Sequence, residues 1–428
     1  MKLLLFSPTI TLRLQYTCNF ICKELLGIDV EIISSEEEFK NYDGIKINYS
    51  INKICEKELH ISPVDLLFQQ NIQPQIIDCF DINNKKAFFK TNAPGFTFDI
   101  FAASFYLISR YEEYLPHQKD IYGRYAHENS LAYKEGFLNI PLVNIWVKDL
   151  ARSIQDKFPE FTISYSPFTF IPTYDIDIAY AYKYKGFARN IGGFFKSPNV
   201  ERINVLCRFK KDPFDTYAWL DALHKKYKLN PLYFFLVAAQ NGLYDKNILP
   251  TTKAMEELAN SHAKKYGVGL HPSWQTGNEN ALLKKEKEQL ERMCEKKITS
   301  SRQHYIRFNL PDGYRKLLET GFADDYSMGY GSINGFRASV ASSFNWFNLA
   351  KNELTNLRIH PFCFMEANSY YEQKIKADNA YEELMHYFTV CKEVNGTLIT
   401  IWHNHMIGPD KLYKGWGEMY EIFLQTIE

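Results

Sequence analysis

The sequence predicts an α/β fold in which strands and helices alternate into a barrel or near-barrel, preceded by a separate N-terminal α/β domain. Two observations predict it. From about residue 167, short apolar runs alternate with amphipathic stretches six or seven times, the pattern of βαβ units feeding a mostly parallel sheet. Before that point short apolar runs and helical stretches mix without a regular period, and SYSP, residues 164–167, reads as a linker. The expected division is therefore 1–160 for the N-terminal domain and 161–428 for the barrel.

In the N-terminal part, residues 12–26 place Leu14, Cys18, Cys22 and Leu25 on one helical face. Residues 98–115, FDIFAASFYLISRYEEYL, repeat apolar positions at helical spacing. Residues 117–145 are polar, tyrosine-rich and loop-like, and VNIWVKDLARSIQDKF follows as a helix. TFIPTY is then a strand. A helix over 215–227 opens on Asp215 as N-cap, and PLYFFLVAA, 231–239, is a buried strand. A helix over 252–267 closes on Gly267, and VGLH, 268–271, is a short strand. ALLKKEKEQLERMCEKK is amphipathic, with Leu283, Leu290 and Cys294 inward and its lysines and glutamates in solvent. KITSSR and GFADDYS each end a strand, with a helix through PDGYRKLLETG between them. LRIHPFCFM and GTLITIWH are the last strands, separated by a helix through NAYEELMHYFTVCKEV.

Composition excludes several classes. Lys plus Arg and Asp plus Glu are 50 each, so no overall field draws the chain to nucleic acid or to an anionic membrane. No apolar run approaches the roughly 20 residues of a membrane span. LLLF near the N-terminus is broken by Ser7 and Pro8 without a small-residue cleavage site, which argues against a signal peptide. The eight cysteines form neither a disulfide framework nor a zinc ribbon, and a reducing cytoplasm is the expected location. Aromatic residues at 16% suit sugar-stacking surfaces and large cores alike.

Chemistry gathers where strands end. Asp175 and Asp177 follow TFIPTY; His271, with Ser273, follows VGL; Arg302 and His304 follow KITSS; Asp324 and Asp325 follow GFA; His403 and His405 follow LITIW. In parallel α/β folds the carboxyl ends of strands share one edge, where reactive groups collect. One aspartate with histidines suits a divalent metal such as zinc. A second aspartate beside it takes a proton from water, an arginine keeps that aspartate ionised, and a further histidine protonates a leaving group. The reaction class is metal-assisted hydrolysis of an amide or ester.

These residues resemble the motifs of the polysaccharide deacetylases (the NodB-homology, or carbohydrate esterase family 4, enzymes). More closely, the chain is similar to a branch common in Bacteroidetes that carries an extra N-terminal domain of unknown function. The resemblance covers residues 167–428 and implies a distorted (β/α)7 barrel that removes acetyl groups from N- or O-acetylated sugars. TYDID stands for the family's first motif, which makes Asp175 the base and Asp177 a metal ligand. HPSWQ stands for the second: His271 is a ligand, and Gln275 occupies the place of the second histidine. A water or another side chain then completes the site, with His304 the candidate. Arg302 fits the arginine that holds Asp175, Asp325 the group that orients the acid histidine, and His403 the proton donor, chosen over His405 because the apolar run ends there. Trp274 and Tyr326 are candidates for sugar stacking, against core or rim packing.

The expected partner is an acetylated carbohydrate, in an intermediate of surface-glycan biosynthesis, and the expected cofactor a divalent metal, zinc. The competing reading is a barrel without metal that binds carbohydrate or acts as a scaffold, motivated by Gln275. A third is an amidohydrolase acting on C–N bonds outside sugars.

Overall fold

A computed structural model describes residues 2–93, 95–196 and 199–428. Its strands are β1 Lys2–Phe6, β2 Asp29–Ile33, β3 Ile45–Asn48, β4 Leu59–His60, β5 Phe80–Ile82, β6 Lys85–Ala87, β7 Thr169–Ile176, β8 Leu232–Leu236, β9 Gly267–His271, β10 Ser300–Ser301, β11 Asp324–Asp325, β12 Phe344–Asn348, β13 Glu353–Ile359, β14 Phe364–Met365 and β15 Thr397–His403. The first four form a parallel sheet in the order β2-β1-β3-β4, and β5 and β6 make a small antiparallel ribbon.

The other nine form one sheet, β12-β13-β11-β10-β9-β8-β7-β15-β14. Every neighbouring pair is parallel except β12 with β13. Among the described residues no pairing joins β12 to β14. Instead the chain around residues 335–341 bridges that side, with Gly335 N donating to Cys363 O at 2.9 Å and Thr397 N to Ala341 O at 2.6 Å. In β7, Pro172 lacks a ladder donor; β15 flanks it, while pairing with β8 begins one residue later at Thr173.

Several boundaries differ from the expected ones for local reasons. The helix expected over 98–115 runs over Ile100–Ile108 and is buried on every side, so its period carries less information than its apolar content. It is capped by Asp99 and ended by Arg110, which adopts a left-handed backbone (φ 54°). Asp215 does not cap its helix, which begins at Tyr217 behind Thr216. Gly267 does not close the preceding helix, which ends at Lys265; it opens β9, where a side chain would strike Leu232. LRIHPFCFM is not one strand: His360 and Pro361 break it, sending β13 and β14 to opposite ends of the sheet. Unforeseen were β12 and the helices Phe187–Lys196, Val200–Leu206 and Trp416–Ile427.

The main apolar core runs through both parts of the chain, from Leu3 to Leu424, and a small second cluster gathers Leu4, Phe6, Ile33 and Phe39. Two buried ion-paired arginines cross between them: Glu113 accepts from Arg337 at 2.8 and 2.6 Å and from Arg110 at 2.7 Å, and Arg110 also donates to the Arg337 carbonyl. The N-terminal segment is thus packed as core against the β12–β13 end of the large sheet.

Candidate metal centre and acid–base residues

Side chains on a strand alternate faces, so Thr173, Asp175 and Asp177 share one side of β7. The other side carries Tyr174, which packs outward and meets His224 Nε2 at 2.9 Å and the Tyr420 hydroxyl at 2.5 Å. β15 aligns His403 directly beside Asp175, and β9 ends on His271. The five strand ends singled out in the sequence therefore do come to one edge, although the acids and imidazoles there do not all face one point.

Asp177, His271 and His304 do converge: their ligand atoms lie within 4.8 Å of one another. His271 Nε2 is 3.1 Å from Asp177 Oδ1, and His304 Nε2 is 3.5 Å from Asp177 Oδ2. A tetrahedral ion with arms of about 2.05 Å has edges of about 3.3 Å, so the spacing fits a cation among these donors. Three further features fit it. Asp177 Oδ1 is buried without a hydrogen-bond partner. His271 is fixed through Nδ1 to the Arg302 carbonyl at 2.6 Å, and His304 through Nδ1 to Asp245 at 3.1 Å. Both rings thus turn Nε2 to the centre, the arrangement in which a second acceptor orients a ligating imidazole. His304 was expected as the candidate to complete the site, and here it lies in the cluster. Gln275 instead donates to Asp245 at 3.1 Å, bracing the carboxylate that holds His304.

Charge is concentrated at this point. Burial alone raises the Asp177 carboxyl, but His304, His271 and His403 outweigh it and hold it well below the usual carboxylate range. Burial lowers His304, and Asp177 with Asp245 overrides it, bringing the imidazole up to about 9.

Asp175 is buried beside this cluster. Its Oδ1 accepts from Arg302 Nη1 at 2.9 Å and its Oδ2 lies 3.8 Å from His271 Nε2. The fully buried Arg302 also donates to Thr173 Oγ1 at 2.6 Å and to the Tyr326 carbonyl at 3.0 Å, with its guanidinium 4.4 Å from the Phe234 ring centre. It is a fixed cation dedicated to one carboxylate.

His403 Nε2 is 3.4 Å from Asp177 Oδ2, and its Nδ1 is 2.9 Å from Glu366 Oε1. Burial lowers this imidazole, and Glu366 followed by Asp177 raises it to about 10. Glu366, not Asp325, is therefore the carboxylate that orients His403. The Asp325 oxygens are taken by Ser301 Oγ, Ser327 Oγ and Ser327 N, each at 2.9 Å, which ties β10 to β11 instead. His405 is a buried neighbour pushed down to about 3 by burial, with His403 adding to the effect.

A cleft of about 520 Å³ opens over these groups, lined among others by Asp175, Asp177, His271, His304, His403 and His405. Its rim is aromatic: Tyr244 stacks on Trp274 at 4.0 Å, and Tyr305 and Tyr122 pack beside them. Trp274 supports this rim by stacking on Tyr244, whereas Tyr326 is buried against His360. Two residues of the site left no signal in the sequence. Asp245 lies in an irregular loop, and Glu366 follows the two-residue β14.

Residues 3–159 match a family of unknown function (DUF7033). No curated protein matches the chain. Among solved structures, the chain is similar to a protein of Mycobacterium smegmatis described as a polysaccharide deacetylase, at 12% identity and a TM-score of 0.39 over 61% of this chain and 84% of that one. The polysaccharide deacetylase Bc1974 of Bacillus cereus gives 12% and 0.32 over 60% and 88%. A protein of Pseudomonas aeruginosa PAO1 described in the same terms gives 11% and 0.40 over 60% and 83%.

Proposed function

We propose that this chain is a zinc-dependent hydrolase that removes acetyl groups from N- or O-acetylated sugars. The observation that carries the reading is the arrangement around Asp177: a facial set of one carboxylate and two imidazoles, flanked by an arginine-held carboxylate and a carboxylate-held imidazole. An oxygen and nitrogen donor set of this kind suits zinc. A cation held by Asp177, His271 and His304 would supply Lewis acidity to the acetyl carbonyl and to water.

The chain's own residues then have separate tasks. Asp175, held through Oδ1 by Arg302, takes the proton of the attacking water through Oδ2. His403, oriented by Glu366 and protonated at neutral pH, gives a proton from Nε2 to the departing sugar nitrogen or oxygen. A C–O bond to water forms, the C–N or C–O bond to the sugar breaks, and acetate leaves. The aromatic rim offers faces for a sugar ring. The metal-free scaffold reading drew its support from Gln275, and that support weakens with His304 beside Asp177.

Acetate release from a panel of acetylated sugars and simple amides, with and without chelator, tests the proposal. The expected result is chelator-sensitive release from sugars, with about one zinc per chain that His271→Ala does not retain. No release from any acetylated sugar by zinc-replete protein would overturn it.

A further inference from the structure

We infer that the N-terminal segment is part of the metal centre, with Arg124 as a positioning residue for His304. The inference rests on the reading of His304 as a metal ligand. His304 is followed by two residues in left-handed backbone, Tyr305 at φ 59° and Ile306 at φ 54°. Tyrosine and β-branched isoleucine rarely adopt this conformation, and it persists only where surrounding contacts impose it. It is what turns the chain sharply after β10 and leaves the His304 ring against Asp177 and Asp245.

The imposing contact comes from 181 residues away in sequence: Arg124 Nη1 donates to the Tyr305 carbonyl at 2.7 Å. Arg124 is itself immobilised. Its Nε donates to Asp120 Oδ2 at 2.6 Å, and its guanidinium lies 4.7 Å from the Tyr122 ring centre. Asp120 Oδ1 accepts the Tyr122 and Arg124 amides at 2.9 and 3.0 Å, and Gly123 takes the left-handed turn at φ 75°. These residues form a small closed hairpin, bridged at Lys119 and Tyr125, that reaches over the rim of the cleft. The facing chain makes room for it: a Cβ on Gly331 would lie 2.0 Å from Arg124 Nη1 and 2.9 Å from the Tyr305 carbonyl. Tyr122 then meets the Tyr305 ring at 5.4 Å, so the same hairpin supplies one face of the aromatic rim.

The test is zinc affinity, measured by chelator competition on metal-stripped full-length protein, together with the visible spectrum of the cobalt-loaded form. Arg124→Ala is expected to weaken zinc roughly tenfold or more, the usual effect of losing a group that orients a ligand, and to alter the cobalt spectrum. Tyr305→Asn in the Arg124→Ala background is expected to recover affinity, because asparagine accepts left-handed backbone without outside support. Wild-type zinc affinity and cobalt spectrum in folded Arg124→Ala overturn the inference. Should that variant not fold, Asp120→Asn, which loosens the guanidinium without removing it, takes its place under the same criteria. A wild-type chain that binds no zinc defeats the reading of the metal centre itself, a result distinct from equal binding by wild type and variant.

Discussion

The molecule buries two dense clusters of charge, and they are built on opposite rules. In the first, Arg110, Glu112, Glu113 and Arg337 meet between the two parts of the chain, and none of their side-chain atoms lacks a buried partner. Burial pushes Glu113 up, but Arg337 and Arg110 hold it down at about 2. In the second, Asp177 is approached by three imidazoles and keeps an oxygen without a hydrogen bond. The first cluster is closed and completes itself; the second leaves an oxygen that a bound cation could meet. Convergence of titratable groups does not by itself mark a site, and an unmet valence at the convergence does.

That contrast can be broken most sharply at Asp177. Asp177→Asn is expected to lower deacetylation by roughly a thousandfold or more in kcat/KM while the melting temperature of metal-free protein stays close to wild type. Loss of folding instead would make the second cluster structural like the first. Glu113→Ala is expected to do the reverse. It leaves two buried guanidiniums without their shared partner, costing about 3–5 kcal/mol of stability, read by denaturant unfolding. Zinc affinity of the protein that remains folded should be unchanged.

A smaller effect is expected at Glu366. Glu366→Gln should reduce kcat by about 10- to 100-fold with zinc affinity intact, since His403 keeps a hydrogen-bond partner but loses the charge that favours its protonated form. An equal loss of zinc would place Glu366 in the service of the metal instead.

The smallest effect concerns neutral buried imidazoles. Burial pushes His224 and His262 down to about 4 each. Their folded pKa lies below the unfolded value near 6.5, so the unfolded chain binds more protons in between. Their contribution to stability is full above about pH 6.5 and falls toward pH 4. Between pH 7 and 5 the loss is on the order of 1–2 kcal/mol per imidazole, visible as a falling melting temperature. Glu113, depressed toward 2, adds its own loss only at more acid pH, below its ordinary range. His262→Asn should flatten the first slope and leave the second; a slope unchanged in that variant would assign the acid lability to other groups.

What the sequence revealed of the site follows from strand geometry. Asp175 and Asp177 are legible because a period of two puts both on one face at the end of an apolar run, and His271 and His403 because they end such runs. Arg302 and His304 are legible because they follow the KITSS run, although β10 itself spans only Ser300–Ser301. Asp245 and Glu366 carry no periodic signal, and their roles exist only through contacts 59 and 37 residues distant in sequence. The resemblance to the deacetylase motifs gives Asp325 the task that Glu366 performs here; which imidazole a carboxylate meets depends on strand order, which local pattern does not encode. The same limit hid the antiparallel β12, whose only paired neighbour among the described residues is β13.

The continuous core from Leu3 to Leu424 has a consequence for how this chain can change over generations. Its two parts are not interchangeable pieces. A C-terminal half fused to an unrelated leader would inherit Ser339 O, Ala341 N and Asn345 O with no partners, because Val143 N, Asn144 Oδ1 and the Tyr16 hydroxyl now meet them.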